Sequence, residues 1–370
     1  MFRHHRLDDK VVEINVHRFV LAASRGRKLS DWLSHTPMSW CRIAIGAILG
    51  LAGALAVAGV ALAEPRSPFS PASPQAQQIE NLFIFVLVIA GLIFLGVEGT
   101  LIYSSFAFRA REGRQPSTTS GNTRLEIAWT VTPAVLLAIV FILTVRTMHS
   151  ITAVPSDPLV IRVVAHQFWW EFDYPNANIV TANELHVPVG EQVIINLESA
   201  DVIHSFWVPQ LAGKSDANPG HVNQVTFTAT QPGVYGGQCS EFCGVGHAWM
   251  LIRVVAETPA DYNAWIAAQR QPAVAPTGGL AAQGQQLFQS EACGSCHSIN
   301  GTSANGVAGP NLTHVASRAT IGAGVVENTP ANMDRWLTNP QAVKPGVLMP
   351  NFKLTPDQVK ALTAYMETLR

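Results

Sequence analysis

Two thiols, an imidazole and a thioether fall within twelve residues of this chain, in Cys239-Ser-Glu-Phe-Cys243-Gly-Val-Gly-His247-Ala-Trp-Met250. Thiolate and imidazole suit zinc, copper or iron, and a thioether among them favours copper. A blue-copper site uses one Cys with two His and a weak Met. A second Cys in the same loop offers two bridging sulfurs, enough to hold two copper ions, each of which then needs one imidazole. His247 supplies one. The other must come from a distant strand, and His204 in Asp201-Val-Ile-His204-Ser-Phe-Trp207 is the candidate. The competing assignment is a tetrahedral Cys2His2 zinc site, against which Met250 and the motif described next both argue. His166, His186 and His221 read as ordinary surface or packing histidines.

Cys293-Gly-Ser-Cys296-His297 has the C-x-x-C-H spacing of covalent haem attachment. The two sulfurs bond the haem vinyl groups and His297 binds the iron from below. Met349, in Lys344-Pro-Gly-Val-Leu-Met-Pro350, is the best sixth ligand, and a thioether there raises the reduction potential. Met333 lies in an expected helix, and Met366 falls on the apolar face of the last helix and reads as core. A thioredoxin-like C-x-x-C or a zinc knuckle would need a βαβ setting or further ligands that this segment lacks. A chain with both motifs is built to pass electrons between an iron and a copper centre.

These sites need a scaffold, and composition indicates a membrane-bound one. Hydrophobic residues make up 48% of the 370 and charged residues 13%; the formal net charge of -1 points away from a nucleic-acid partner. Of five cysteines only Cys41 lies outside the two motifs, so a disulfide framework has no support. Ile43 to Ala63 is uncharged, follows Arg42 and ends Ala61-Leu-Ala63, which reads as a secretory signal cleaved before Glu64. A retained third span is the alternative, and Met38 is an alternative start. Leu82 to Tyr103 and Ile127 to Val145 each approximate the ~20 residues that cross a bilayer as a helix. Arg109, Arg111, Arg114 and Arg124 between them outnumber Glu112 and Glu126, which places that loop in the cytoplasm and everything after Arg146 outside.

From Pro155 to Glu257 the pattern turns to short β-rich runs: Leu159–Ala165, Glu184–Val189, Gln192–Leu197, Asn223–Thr228 and Leu251–Val255. Their spacing predicts a sandwich or barrel. A Pro/Ala/Gly linker follows around Ala273 to Gly279. The last segment closes on a helix with Thr355 as N-cap, Pro356 at the first position and Gln358 completing a capping box. Val359, Leu362, Met366 and Leu369 form its apolar face.

Residues 79 to 257 resemble subunit II of a haem–copper cytochrome c oxidase. The resemblance rests on Leu125-Glu126-Ile-Ala-Trp129-Thr-Val-Thr-Pro133, on His166-Gln-Phe-Trp-Trp-Glu-Phe172, on Glu198 to Gln224, and above all on the Cys239–Met250 loop. Residues 279 to 370 resemble a class I cytochrome c, with Gly309-Pro-Asn-Leu312 as the loop whose Pro310 carbonyl orients His297. Together they resemble the family of caa(3)-type oxidase subunits in which the donor cytochrome is fused to the copper subunit.

The resemblance implies a multidomain membrane protein: an N-terminal extension and signal (1–63), a transmembrane helical hairpin (79–150), an all-β cupredoxin-like domain (155–257), a linker (258–278) and an all-α cytochrome c domain (279–370). It implies a dinuclear CuA centre held by His204, Cys239, Cys243, His247, Met250 and the carbonyl of Glu241, with the Glu241 carboxylate on a Mg2+ shared with subunit I. It implies covalent haem on Cys293 and Cys296 with His297 and Met349 as axial ligands, and Glu126 at the mouth of a proton channel. As plainer readings, Glu241 is a surface carboxylate and Glu126 a helix-start residue. Trp169 and Trp170 stand as the electron-entry residues, although the family's Trp directly after the Gln is Phe168 here; Trp170 also reads as a core aromatic.

The implied function is electron entry into a proton-pumping respiratory oxidase of a bacterial cell membrane, multi-pass, with both redox domains outside. Its implied partners are subunit I and other oxidase subunits, a cytochrome or bc-type donor, and lipid. A copper- or haem-binding electron carrier outside any oxidase is the alternative. The expected β domain carries ten acids against three bases, so it would attract a basic cytochrome.

Overall fold

The computed structural model describes residues 67–109, 113, 121–154 and 157–370. The expected signal with its Met38 alternative start, Cys41, and the loop residues Arg111, Glu112 and Arg114 lie outside the described residues.

Two long helices come first, α1 (Pro74–Ala107) and α2 (Thr123–Ile151). Ser73 caps α1 by accepting the Ala76 N–H at 2.9 Å, with Pro74 at the first position. Asn122 caps α2 by accepting from Leu125 at 3.3 Å. At 34 and 29 residues both exceed what a bilayer crossing needs. Phe94, Leu95, Leu137 and Phe141 stand exposed along them, a surface that suits lipid rather than water.

The helices run past the expected hairpin limits because their ends are tied to the β domain. Gln75 and Ala76 in the first turn of α1 are buried, and the Gln75 side chain accepts the Thr228 N–H at 3.2 Å. Ala72 donates to the Gln210 carbonyl at 2.7 Å and accepts from the Thr230 amide at 2.9 Å. At the end of α2 the Thr226 hydroxyl donates to the Ile151 carbonyl.

Ten strands follow: β1 (Leu159–His166), β2 (Trp169–Tyr174), β3 (Ile179–Ala182), β4 (Glu184–Pro188), β5 (Val193–Ser199), β6 (His204–Trp207), β7 (Ser215–Ala217), β8 (Asn223–Phe227), β9 (Gly233–Cys239) and β10 (Leu251–Glu257). They form two five-stranded sheets, in the orders β3-β2-β1-β5-β8 and β4-β10-β9-β6-β7. Alternate residues of β9 and β10 are buried, as one inward face of a sandwich requires. Ile161, Val163, Trp170, Phe172, Leu185, Ile195, Phe206 and Val254 make its core. β2, β3, β7 and β9 lie outside the β-rich runs read from the sequence, and β6 was expected only as the strand that carries His204; in β9 the residues Gly233, Gly236 and Gly237 resemble a turn. At Gly237 the reason is space: a methyl there would stand 2.8 Å from the Val208 side chain.

The segment expected to be a linker starts with a helix, α3 (Pro259–Gln269). Tyr262 is buried, and Trp265 stacks on His186 with ring centroids 4.3 Å apart. That apolar face holds the helix to β4 and β10. Only the stretch after Arg270 lacks regular structure up to α4 (Gly279–Ser290).

After α4 come β11 (Thr320–Ile321), β12 (Val326–Glu327), α5 (Pro330–Thr338), α6 (Pro340–Val343) and α7 (Pro356–Thr368). α7 has the expected capping box of Thr355 and Gln358. Val359, Leu362, Met366 and Leu369 are buried as the apolar pattern predicts. α4 and α7 pack so closely that a methyl at Gly284 would overlap the Ala361 carbonyl. Phe288, Ile299, Met333, Tyr365 and Met366 share this second core.

Candidate metal centres

β6 and β9 are hydrogen-bonded neighbours in register Phe206↔Cys239, which brings His204 beside the start of the Cys239–Met250 loop. The loop is closed on itself by the Cys239 amide donating to the Met250 carbonyl at 2.9 Å. It is tied to β6 by the Ser240 amide on the Ser205 carbonyl at 2.9 Å. The Gln167 side-chain amide donates to the Cys243 carbonyl at 2.5 Å. The buried ring of Phe168 lies under Gly244 and Gly246, where a methyl on Gly246 would overlap it.

The donor atoms converge. Cys239 Sγ lies 3.9 Å from Cys243 Sγ, 3.9 Å from His204 Nδ1 and 3.2 Å from the Glu241 carbonyl oxygen. Cys243 Sγ lies 3.7 Å from His247 Nδ1 and 3.9 Å from Met250 Sδ. Both thiols are free, and His204, Cys239, Cys243 and Met250 are buried. A sulfur–sulfur separation of 3.9 Å is less than twice a metal–sulfur bond of about 2.3 Å, so an ion can touch both sulfurs from either side of the line between them. Each sulfur has its own imidazole. This donor set therefore fits a copper pair with bridging thiolates, and a single tetrahedral ion would leave Met250 and the Glu241 carbonyl unused.

Electrostatics favour anionic sulfur here. The Cys243 S–H beside Cys239 holds the Cys239 thiol down to about 3, while that thiolate and burial push Cys243 up. The pair thus holds a single proton, which a cation would displace. Burial alone would lower His204, but its hydrogen bonds to Cys239 and Asp201 outweigh burial and raise it. Asp201 Oδ1 is 2.7 Å from His204 Nε2, which turns Nδ1 toward the sulfurs. Asp201 is itself held by the amides of Gln167 and Val202, each at 2.7 Å. A carboxylate three residues before a candidate His was the local signal for this role.

In the C-terminal domain, Cys293 is half-buried, Cys296 is exposed and both are free. His297 Nδ1 lies 2.8 Å from the Pro310 carbonyl, which leaves Nε2 for a ligand bond. A methyl on Gly309 would stand 2.6 Å from the His297 ring. This is a cradle for a proximal imidazole and fits a covalent haem. Met349 is half-buried in the loop between Lys344 and α7, whereas Met333 and Met366 are committed to the helical core.

The remaining expected residues fall as follows. Trp170 is fully buried, edge-on to Phe206 at 5.5 Å and to His204 at 6.0 Å, so no external donor touches it. Trp169 faces the other way, stacked on His166 at 4.2 Å and covered by Ala323 of the C-terminal domain. The Glu241 side chain is exposed. Glu126 is exposed in the first turn of α2, where it accepts the Asn122 N–H at 3.3 Å, roughly 37 Å along the helix from the end that meets the sandwich. His186 and His221 are a packing and a surface residue respectively. Lys344 and Glu184, both buried between the two redox domains, are the residues that sequence reading missed.

Three family models match the chain: Cytochrome C oxidase subunit II, transmembrane domain, over residues 69–146; Cytochrome C oxidase subunit II, periplasmic domain, over 178–257; and Cytochrome c, over 281–370. Cytochrome c oxidase subunit 2 of Alkalihalophilus pseudofirmus is 36% identical over 304 residues, covering 80% of this chain and 88% of the relative. Its counterpart in Bacillus sp. (strain PS3) is 35% identical over 288 residues, covering 71% and 80%. Among solved structures, the periplasmic domain of subunit II of cytochrome oxidase of Bradyrhizobium japonicum is 31% identical, with 32% of this chain and 97% of that domain covered and a TM-score of 0.31.

Proposed function

The chain belongs to the cytochrome c oxidase subunit II family, with a cytochrome c domain fused at its C-terminal end, and from that membership we propose that it is the electron-entry subunit of a proton-pumping respiratory oxidase that carries its own donor. Electrons enter at the cytochrome domain, cross to the sandwich and leave for subunit I, where dioxygen is reduced to water. The observation that carries this reading is the buried cluster of two thiols 3.9 Å apart, each with its own imidazole.

When bound, a dinuclear copper centre and a covalent haem c supply reversible one-electron carriers. The chain's part is to hold them still. Cys239 and Cys243 would bridge the coppers, with His204, His247, Met250 and the Glu241 carbonyl completing the set and Asp201 fixing the His204 ring. Burial of Cys239, Cys243, His204 and Met250 keeps water from most of this set, so less solvent has to reorganise as charge changes. Cys293 and Cys296 would anchor the haem, with His297 and Met349 as axial ligands and Pro310 setting the His297 tautomer.

The Glu241 carboxylate would meet Mg2+ at the contact with subunit I, and Glu126 would stand at a proton-channel mouth on the opposite side of the membrane. α1 and α2 cross the bilayer, with both redox domains outside. Upstream, a cytochrome or bc-type complex supplies electrons. Trp169, under the cytochrome domain, is the indole placed for electron entry, whereas Trp170 serves the core.

The test is spectroscopic. The purified membrane complex should show haem c bands and a mixed-valence copper band toward the near infrared. Cys239→Ser should abolish the copper band and oxygen uptake while leaving haem c attached. A copper band that survives Cys239→Ser refutes the bridging role.

A further inference from the structure

Two ionisable side chains are buried where the cytochrome domain meets the sandwich, and each reaches across to the backbone of the other domain. Lys344 begins the loop that carries Met349. Its Nζ donates to the Phe168 carbonyl of the sandwich at 2.5 Å and to the Gly322 carbonyl of its own domain at 3.0 Å. It is 2% exposed, and among the described residues no carboxylate lies within ion-pair distance of it.

Glu184 opens β4 and is 4% exposed. Its carboxylate accepts the amides of Ala319 and Thr320 at 3.1 and 3.0 Å and the Thr320 hydroxyl at 3.0 Å. Arg253, in the sandwich, is 3.9 Å away.

A buried ionisable group is costly unless its hydrogen bonds are satisfied; the Glu184 carboxylate accepts three bonds from the opposite domain, and Lys344 makes one of its two bonds there. Separating the domains would strip both groups of these cross-domain partners together.

Further contacts fix the orientation. The Leu251 amide donates to the Ala323 carbonyl at 3.2 Å, at the start of β10 immediately after Met250. Gly346 lies against the copper loop, where a methyl would stand 2.6 Å from Val245 Cγ2 and 3.1 Å from the Gly246 nitrogen. Phe168, whose carbonyl Lys344 holds, is the residue whose ring lies under Gly244 and Gly246. A continuous set of contacts thus runs from the Met349 loop through Phe168 to the loop of Cys243 and His247.

We propose that Glu184 and Lys344 are reciprocal positioning residues that seat the cytochrome domain permanently on the sandwich, closing Trp169 to external donors and fixing the Met349 loop against the copper loop. The proposal rests on the relay reading above and deepens it. Transfer between the domains then takes place within a standing complex and does not wait for a tethered encounter, and any soluble donor must act on the cytochrome domain.

The experiment uses the assembled oxidase with the full chain, as wild type, Lys344→Met and Glu184→Gln. Neither residue supplies a ligand, so both variants should keep the haem c and copper absorption. Hydrogen exchange is measured at the Ala319, Thr320 and Leu251 amides. In Lys344→Met these amides, none of which bonds to Lys344, should exchange about tenfold faster, the factor expected from losing one buried hydrogen bond and leaving the Phe168 carbonyl unpaired.

Electron transfer between the domains is then followed after rapid photoreduction while solvent viscosity is raised. The wild-type rate should be independent of viscosity, and each variant should gain a slow, viscosity-dependent phase. Unchanged exchange together with viscosity-independent transfer in both variants overturns the proposal. Wild type that passes no electrons between the domains, but whose amides still lose protection in Lys344→Met, would sink the relay reading and uphold the clamps.

Discussion

Asp201 holds the His204 imidazole at 2.7 Å and is itself held by two backbone amides, so the carboxylate has no freedom to turn away. Its charge is stabilised in place: burial alone would raise its pKa, but the hydrogen bonds from His204, Gln167 and Val202 hold it below the ordinary carboxylate range. Asp201→Asn keeps the size and loses the charge. Copper affinity should fall about 10- to 100-fold, as is usual when the group behind a ligating imidazole is removed. Copper titration against a competing chelator measures this, and unchanged affinity would mean that His204 needs no orienting partner. The same scale separates the two indoles: Trp170 packs inside the sandwich against His204, while Trp169 points out and is covered by Ala323.

At the scale of elements, the copper loop is held at both ends by paired strands, β9 leading in and β10 leading out. Five of the proposed donors, Cys239, the Glu241 carbonyl, Cys243, His247 and Met250, lie from the end of β9 to the residue before β10, and His204 comes from the neighbouring β6. The cytochrome domain depends on one helix crossing in the same way. α4 meets α7 at Gly284, which has no room for a side chain against Ala361. Gly284→Ala should therefore cost about 1–3 kcal/mol or more, the range for overpacking a tight contact. Melting followed at the haem bands should shift down while the copper band melts as before. Equal shifts in both would show that the two domains unfold as one unit.

At the scale of the whole molecule, the cytochrome domain covers a sandwich rich in acids. Truncation after Arg270 should leave an assembled oxidase with its copper band intact, since every proposed copper donor precedes that point. It also uncovers Trp169 and Glu184. Oxygen uptake with the native donor should fall steeply. Excess soluble basic cytochrome should restore part of it at low salt and less as ionic strength rises, because exposed charges are screened. Undiminished uptake with the native donor and no added cytochrome would place the fused domain off the electron path.

What the sequence determined by itself is what lies close together along it. The Cys239–Met250 donors share one loop, C-x-x-C-H is five consecutive residues, the capping box of α7 spans four, and α1 and α2 are built on long apolar runs. Each is a spacing rule, so each is legible without a fold. His204 was within reach because two coppers need two imidazoles. β9 was not, since its glycines resemble a turn, and Gly237 answers to the crowding of Trp207 and Val208 and not to local preference. Period-two alternation tells that Trp169 and Trp170 point to opposite faces of β2, but not that Ala323 covers the outer one. Only the tertiary structure decided how the two redox domains meet. Lys344 and Phe168 are 176 residues apart, and Glu184 and Thr320 are 136 apart. Contacts at such separations follow from the docking of two finished domains, where shape and the cost of burying charge select the partners and no sequence period records them.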